Sequence, residues 1–468
     1  MSQQFDFGMV GLGVMGRNFI LNVTDHGFSA IGLDTDLAKA NALEEEGAGK
    51  PVKGTTAKEE FIAALKKPRK IMLLVPAGGP VDAVIDSFLP LLDKGDLIID
   101  GGNSFFADTN RRETYLSAKG IHFMGIGVSG GSHGARFGPS IMPGGDAEAY
   151  EMIKPILEAV SAKVNGDPCV AYLGAGSSGN YVKMVHNGIE YGLMQLISEA
   201  YDVLKRGVGL SNDALHELFS GWNAGRLQSF LIEITAHIFS VDDHLTDQKL
   251  VDMILDQAKQ KGTGKWTSQN AMDLGIPVPT IDMAVTLREL SALKQERVAA
   301  AKIYGPAQAI NEDAVTLAAA VEQALYFSFI ATYAQGMAQL TDASNEYKYG
   351  LNLETVARIW RGGCIIRAAM LEHFRQAYQN NPALPNLLLD PTLASTLQVA
   401  QEGIRKVVAA AVSSGIPVPA MSASLAYFDA YRSARLPLNL VQAQRDFFGS
   451  HTYERTDRAG IFHTDWAE

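Results

Sequence analysis

Residues 7–12 read F-G-M-V-G-L, a short apolar run that passes into G-V-M-G and then into a helical stretch from Arg17 to Val23. Gly11, Gly13 and Gly16 therefore stand at G-x-G-x-x-G spacing in a strand, turn and helix context, which constrains the chain more than any other feature. The first glycine permits a tight turn, the second lets the backbone approach a pyrophosphate, and the third allows close helix-to-strand packing. With Leu12, Val14 and Met15 between them, these residues read as a dinucleotide-binding loop. A bare glycine pattern also describes an ordinary turn, and it is the flanking strand and helix that give it meaning. A second apolar stretch, Ser29 to Leu33, ends in Asp34, 18 residues after Gly16. A carboxylate there accepts hydrogen bonds from both ribose hydroxyls and repels the extra phosphate of NADP, while Thr35 and Asp36 supply no cation to attract it. NAD is thus predicted over NADP. The competing reading makes Asp34 the cap of the next helix and leaves a phosphate to Lys39 or another base.

Three more apolar strands are expected at Lys70 to Val75, Asp96 to Asp100 and His122 to Ile126, with amphipathic stretches between the earlier ones. This alternation predicts a parallel, doubly wound α/β sheet, Rossmann-like, with ligands at the carboxyl ends of its strands. V-P-A-G-G follows Leu74, D-G-G-N-S surrounds Asn103, and G-I-G-V-S-G-G runs from Gly125 to Gly131, so glycines gather on one sheet edge. Such loops expose backbone amides to an anion, although each alone is also an ordinary turn.

From Asn180 the sequence becomes Ala/Leu/Glu-rich at helical spacing. G-I-P-V-P occurs at Gly275 and again at Gly415, an offset of 140 residues, and at offset 141 Gly209 matches Gly350, Gly221 matches Gly362 and Arg226 matches Arg367. We read this as a duplicated helical unit. The first copy opens with Y-V-K-M-V-H-N-G-I-E-Y, in which Lys183, His186, Asn187 and Glu190 share one helical face. A solvated surface face gives the same spacing. The second copy, over Tyr326 to Tyr333, carries neither lysine nor glutamate, which favours a reactive face in the first. After Arg435 the helix breaks at Leu436-Pro437-Leu438, and an aromatic, charged tail follows. Phe447, Phe448, Tyr453, Phe462 and Trp466 call for burial, so the tail is expected to dock, on this chain or on a second subunit. The expected division is 1–178, a dinucleotide domain; 179–434, the duplicated all-helical domain; and 435–468, the tail.

Charge and composition narrow the partners. The 40 basic and 51 acidic residues leave a net charge of −11, which argues against nucleic acid. No uninterrupted apolar run approaches the ~18 residues of a membrane span. Two distant cysteines, Cys169 and Cys364, and an N-terminus without a basic-then-apolar segment point to a reduced, cytoplasmic protein. No Cys/His cluster has zinc spacing, so no metal is expected.

Together GLGVMG, DGGNS, GVSGG with GPSIMPGG, KMVHNGIEYG, QKGTGKW, WRGGCIIR and YRSARLP with QRDFFGSHTYER resemble the 6-phosphogluconate dehydrogenase family, a branch of the β-hydroxyacid dehydrogenases, over essentially the whole chain. The resemblance implies a homodimer whose C-terminal tail enters the partner. It also implies oxidative decarboxylation of 6-phosphogluconate to ribulose 5-phosphate, without a metal. By this resemblance Lys183 is the general base and Glu190 the acid. Asn103, Ser129, Gly130, Gly131, His186 and Asn187 hold the carboxylate and upper hydroxyls. Tyr191, Lys261, Thr263 and Arg288 hold the phosphate, joined by Arg445 and His451 of the partner subunit. Val75, Pro76, Ala77 and Asn103 complete the cofactor lip.

Some positions depart from the family pattern. Members that use NADP carry N-R-T after the second strand and K-A-G after the next apolar strand. Here these read Asp34-Thr35-Asp36 and Pro76-Ala77-Gly78, and Gly13 replaces a common alanine. NAD is therefore the expected acceptor, with NADP as the alternative. S-G-G continues Ser132-His133-Gly134 in place of E-E-G, beside the expected nicotinamide. Two other readings compete: a β-hydroxyacid dehydrogenase acting on another sugar acid, which the duplicated length opposes, and a catalytically silent NAD-binding sensor, which retention of Lys183 and Glu190 opposes.

Overall fold

In the computed structural model, which describes residues 4–466, the N-terminal part is a seven-stranded sheet of order β3-β2-β1-β4-β5-β6-β7. The strands are β1 (Phe7–Val10), β2 (Ala30–Leu33), β3 (Val52–Thr55), β4 (Lys70–Leu73), β5 (Leu97–Asp100), β6 (His122–Ser129) and β7 (Ser140–Gly145). β1 lies between β2 and β4, so the sheet grows in both directions from it and a crevice opens at the carboxyl ends of β1 and β4.

Two strands escape the apolar pattern read from the sequence. β3 is V-K-G-T, mostly half-buried at the sheet edge, and has no run of large apolar residues. β7 is S-I-M-P-G-G, fully buried but built largely of small residues. It runs antiparallel to β6, with Ser129 opposite Ser140, and adds an edge strand that the sequence does not reveal to the parallel, doubly wound sheet expected from it. The physical reason for its direction is the short connection, whose helix, Gly131–Phe137, is only seven residues long. A parallel crossover needs about a dozen residues or more.

From Ser178 onward the described residues are mainly helical. Two long helices, Ser178–Asp202 and Ala314–Tyr347, lie against each other. A Cβ on Gly192 would lie 2.6 Å from Thr332, and one on Gly336 the same distance from Ile189. The missing side chains allow that approach. The second of these helices has no uninterrupted apolar run of membrane-span length, as expected from the sequence. Its mean hydropathy of 1.5 over the best window makes it long and apolar enough to cross a membrane, although Ser, Thr and Gln interrupt its apolar runs. It is instead a core helix, with 67% of that window buried.

The duplication extends to the elements themselves. Asn212–Asn223 and Leu353–Trp360 begin 141 residues apart, as do Phe230–Ser240 and Leu371–Asn380, while Pro279–Ala292 and Pro419–Tyr431 begin 140 apart. Each repeat also lends a side chain to the other. Gln335 of the second long helix accepts the Thr280 N–H at 3.0 Å, and Glu199 of the first accepts the N–H groups of Ala420 and Met421 at 2.8 and 2.9 Å.

The tail is a helix, Leu438–Gly449, and a short hairpin of Tyr453–Glu454 with Ile461–Phe462. Asp446 gathers it, accepting from the backbone of Thr452 and Thr464 and from the Trp466 indole. Phe447 and Phe448 remain 65% and 72% exposed, so this chain does not supply the burial expected for them.

Candidate active site

The dinucleotide crevice is built by contacts that only glycine permits. Gly11 has φ +93°, and a Cβ there would lie 2.5 Å from the Leu74 carbonyl oxygen; one on Gly16 would lie 1.9 Å from the carbonyl oxygen of Gly11. These approaches seat the helix Val14–Asp25 directly on the glycine turn that follows β1, and that turn against the end of β4. Gly13 caps that helix and a Cβ on it would meet nothing within 4 Å, which leaves the first-turn amides open to an anion. Leu12 is buried, whereas Val14 is exposed and Met15 partly buried.

Asp34 is joined to this loop. Its carboxylate accepts from Leu12 N at 2.8 Å and Asp36 N at 3.0 Å, with Lys39 Nζ at 3.4 Å. Burial pushes its pKa up, but the two backbone donors and the Lys39 ammonium outweigh burial and hold it below the usual carboxylate range. The cap of the following helix is Asp36, which accepts the Ala38 N–H. Asp34 is thus free of the capping role, although Lys39 does stand beside it. Thr35 is exposed, Val75 is partly buried, Pro76 and Ala77 lie exposed on the opposite lip, and Asn103 projects exposed from the loop after β5.

The helix Ser178–Asp202 reaches the sheet edge because β6 and β7 are stripped of side chains there. A Cβ on Gly125 would lie 2.0 Å from Asn180 Oδ1, one on Gly127 2.4 Å from Lys183 Cβ, and one on Gly144 2.3 Å from Gly179 N. The polar face read from the sequence is therefore buried against the sheet, not solvated. Lys183 and His186 are 6% and 0% exposed. Lys183 Nζ lies 3.4 Å from His186 Nδ1, which also meets Asn187 Oδ1 at 3.1 Å, and His186 Nε2 lies 3.2 Å from the Ser129 hydroxyl. Asn187 Nδ2 donates to Thr263 Oγ1 at 3.2 Å. Glu190 Oε2 lies 3.9 Å from His186 Nδ1.

Electrostatics divide this cluster. Burial lowers the Lys183 pKa against the opposing pull of Glu190, while burial raises that of Glu190 against the pull of Lys183 and Arg288. Burial, reinforced by Lys183, holds His186 far below its ordinary range, so its ring is neutral. An amine biased toward neutrality and a carboxyl biased toward protonation on one helix face form a base and acid pair of the kind proton-transfer chemistry uses.

Beyond Glu190, the Arg288 guanidinium lies 3.4 Å over the Tyr191 ring. Thr263 opens the helix Thr263–Leu274 behind Gly262, whose φ is +95°, and Lys261 is exposed just before it. A single chain therefore brings Lys183, His186, Asn187, Ser129 and Thr263 into one hydrogen-bonded cluster, with Glu190, Tyr191 and Arg288 next to it. Gly130 and Gly131 lie in the turn that follows Ser129, with φ +127° and +63°. Ser132 and His133 are exposed, the latter against the Phe137 ring at 4.8 Å. Arg445 and His451 are not brought in: Arg445 donates to Gln442 and His451 meets Phe448, both within the tail. Sequence reasoning missed the wall behind His186, where Trp360 meets its ring at 5.6 Å. The W-R-G-G-C string was the available signal.

Residues 6–174 match the family described as "NAD binding domain of 6-phosphogluconate dehydrogenase" and residues 179–466 "6-phosphogluconate dehydrogenase, C-terminal domain". The chain is 54% identical over 468 residues, all of both chains, to "6-phosphogluconate dehydrogenase, NADP(+)-dependent, decarboxylating" of Bacillus subtilis (strain 168). It is also 54% identical to "6-phosphogluconate dehydrogenase, decarboxylating" of Synechococcus elongatus, across 98% of this chain and 99% of that one. Among solved structures it is similar to the 6-phosphogluconate dehydrogenase of Plasmodium falciparum, described in apo form and with NADP+ and 6-phosphogluconate. The TM-score there is 0.96 at 47% identity, covering 98% of this chain and 100% of that one.

Proposed function

Since the chain belongs to the 6-phosphogluconate dehydrogenase family and is an oxidoreductase of its decarboxylating kind, we propose that it converts 6-phosphogluconate to ribulose 5-phosphate and CO2 with NAD as its preferred acceptor, using Lys183 and Glu190. The observation that carries the catalytic assignment is their opposite displacement on one buried helix face. Lys183, as the neutral amine, takes the C3 hydroxyl proton. A bound nicotinamide supplies the acceptor for the C3 hydride. The resulting β-keto acid loses CO2 while protonated Lys183 polarises its carbonyl, and Glu190 delivers a proton to C1 of the enediol. Ser129, Gly130, Gly131, Asn103, His186 and Asn187 orient the carboxylate and upper hydroxyls. Tyr191, Lys261, Thr263 and Arg288 hold the phosphate, with Arg445 and His451 of the partner subunit. The exposed Phe447 and Phe448 support a homodimer with tail exchange, in which 1–178 is the dinucleotide domain, 179–434 the duplicated helical domain and 435–468 the exchanged tail of a cytoplasmic enzyme. Full-length matches favour this reading over a shorter hydroxyacid dehydrogenase or a silent sensor.

The names of relatives stand against the cofactor preference, since the Bacillus protein is named NADP(+)-dependent. What supports NAD is Asp34, held anionic beside the glycine loop, and Pro76 on the facing lip. Steady-state assays with 6-phosphogluconate and each cofactor test both claims. We expect kcat/KM for NAD to exceed that for NADP. Reduction of neither cofactor sinks the reaction, and a higher kcat/KM for NADP sinks the Asp34 argument alone.

A further inference from the structure

The second repeat reaches the reaction chamber through one turn, Trp360–Cys364, which follows its helix Leu353–Trp360. The fully buried Trp360 ring meets the His186 ring at 5.6 Å and 75°, an edge-to-face contact. Gly363 has φ +69°, and its carbonyl accepts the Ser140 N–H at 3.0 Å, while the Ser140 hydroxyl donates to the Ile359 carbonyl at 2.8 Å. Ser140 is the register partner of Ser129, whose hydroxyl meets His186. A Cβ on Gly130 would lie 2.4 Å from the same Gly363 carbonyl oxygen. Cys364 locks the turn by donating its thiol hydrogen to the Trp360 carbonyl at 3.0 Å.

We propose that this turn of the second repeat positions the reaction chamber, with Trp360 fixing the His186 imidazole and Gly363 fixing the Ser129–Gly131 segment, so that both stay aligned with Lys183. Two groups that hydrogen-bond each other, His186 and Ser129, are gripped by one short segment that touches neither through its own polar side chains. Neutral imidazole has one donor and one acceptor nitrogen. Its ring orientation therefore decides which nitrogen faces Lys183 and which faces Ser129. Rotation or a shift of the ring disorders both contacts, and a misplacement of about 1 Å near reacting atoms can cost about 10²-fold in rate. Trp360 and Gly363 are positioning residues, acting through His186 and Ser129.

The inference rests on the proposed assignment of Lys183, and the experiment separates the two. In the full-length enzyme, Trp360→Leu is expected to lower kcat per folded active site by about 10²-fold while KM for NAD changes by no more than about threefold. Trp360→Phe keeps an aromatic edge for His186 and is expected to restore kcat to within about tenfold of the parent. Both variants remove indole volume from the core, so a purely structural role predicts that they fall together in thermal unfolding and in activity. Equal kcat in the two, or a parental kcat in Trp360→Leu, overturns the inference. Should Trp360→Leu not fold, Ser140→Ala carries the test: a reduced kcat with parental NAD binding supports the positioning role, and an unchanged kcat overturns it. If Lys183→Ala retains turnover, the catalytic assignment fails. If Lys183→Ala is inactive while the Trp360 and Ser140 variants behave as the parent, only this inference fails.

Discussion

The two long helices occupy corresponding places in the two repeats and are similarly buried, yet they carry opposite kinds of side chain. At an offset of 141 residues, Lys183, His186, Asn187 and Glu190 stand where the second repeat has Ala324, Phe327, Ser328 and Ala331. Those four second-repeat residues are buried, and the Ser328 hydroxyl has no hydrogen-bond partner among the described residues. What differs is the neighbour. The first helix lies on β6 and β7 at the sheet edge where the crevice loops emerge; the second lies along the helix Pro391–Ser413, where Gly403 lets the backbone approach Gln323. Burial of polar groups is tolerated where they bond one another and a ligand can reach them, and elsewhere the same positions are filled for packing.

Exchanging side chains between the helices should break the two repeats in opposite ways. Lys183→Ala is expected to lower kcat by about 10³-fold or more, near the upper range for loss of a proton-transfer group, while 6-phosphogluconate binding stays measurable by calorimetry. Substantial residual turnover removes Lys183 from the base role. Removing a buried amine should also leave the fold no less stable, by urea unfolding. The reverse change, Ala324→Lys, places an amine where no carboxylate answers it and should cost on the order of 3–5 kcal/mol or prevent folding. A well-folded Ala324→Lys protein of parental stability would show that the second helix tolerates what the first uses.

How much of this contrast is legible in one dimension depends on whether the informative contacts are local. The glycine loop, Asp34 and the Lys183 to Glu190 face are each contained within short segments, and the loss of lysine and glutamate from the second copy is visible by aligning the chain with itself. β3 is not legible, because Lys53 and Gly54 interrupt it and its place at the edge demands little apolar surface. The role of Gly125, Gly127 and Gly144 is hidden for another reason: a glycine in a strand shows only that space is needed, not that Asn180, Lys183 and Gly179 fill it. Trp360 and His186 are far apart in sequence, and no periodicity connects them. The tail's aromatic residues are readable as needing cover, whereas which surface covers Phe447 and Phe448 is a property of an assembly.

The reciprocal caps between repeats allow a subtler comparison. Gln335 caps the first repeat's helix as a neutral amide, whereas Glu199 caps the second repeat's as a carboxyl that burial pushes up to about 7, despite the donors from Met421, Ala420 and Gln195. A folded pKa above the unfolded value of 4.5 means that the native state holds more protons between those limits. Stability contributed by Glu199 is thus present at low pH and is lost as pH rises through about 7. The shift corresponds to about 3 kcal/mol across that window. Glu199→Gln makes the two caps chemically alike, and its unfolding free energy should fall less steeply than the parent's between pH 5 and pH 8. Parallel pH profiles for the two proteins would place the titration elsewhere.

The smallest effect is expected where the repeats have not diverged. Gly275 and Gly415 both end helices with a left-handed residue, at φ +72° and +73°, before the same I-P-V-P sequence. A Cβ on Gly275 would meet nothing within 4 Å, and one on Gly415 would reach only Ala307 at an ordinary 3.7 Å. Neither site is crowded, so the penalty of Gly→Ala comes from the backbone conformation alone, about 1 kcal/mol at each position. Unfolding in urea should give the two single variants equal losses within about 0.5 kcal/mol, and the double variant their sum, because the sites share no partner. Neither should alter kcat, since these turns close scaffold helices. An unequal loss would mean that identical sequence and dihedral angles in the two repeats carry different loads, and the division into one reactive and one supporting repeat would then extend beyond the long helices into the turns that end them.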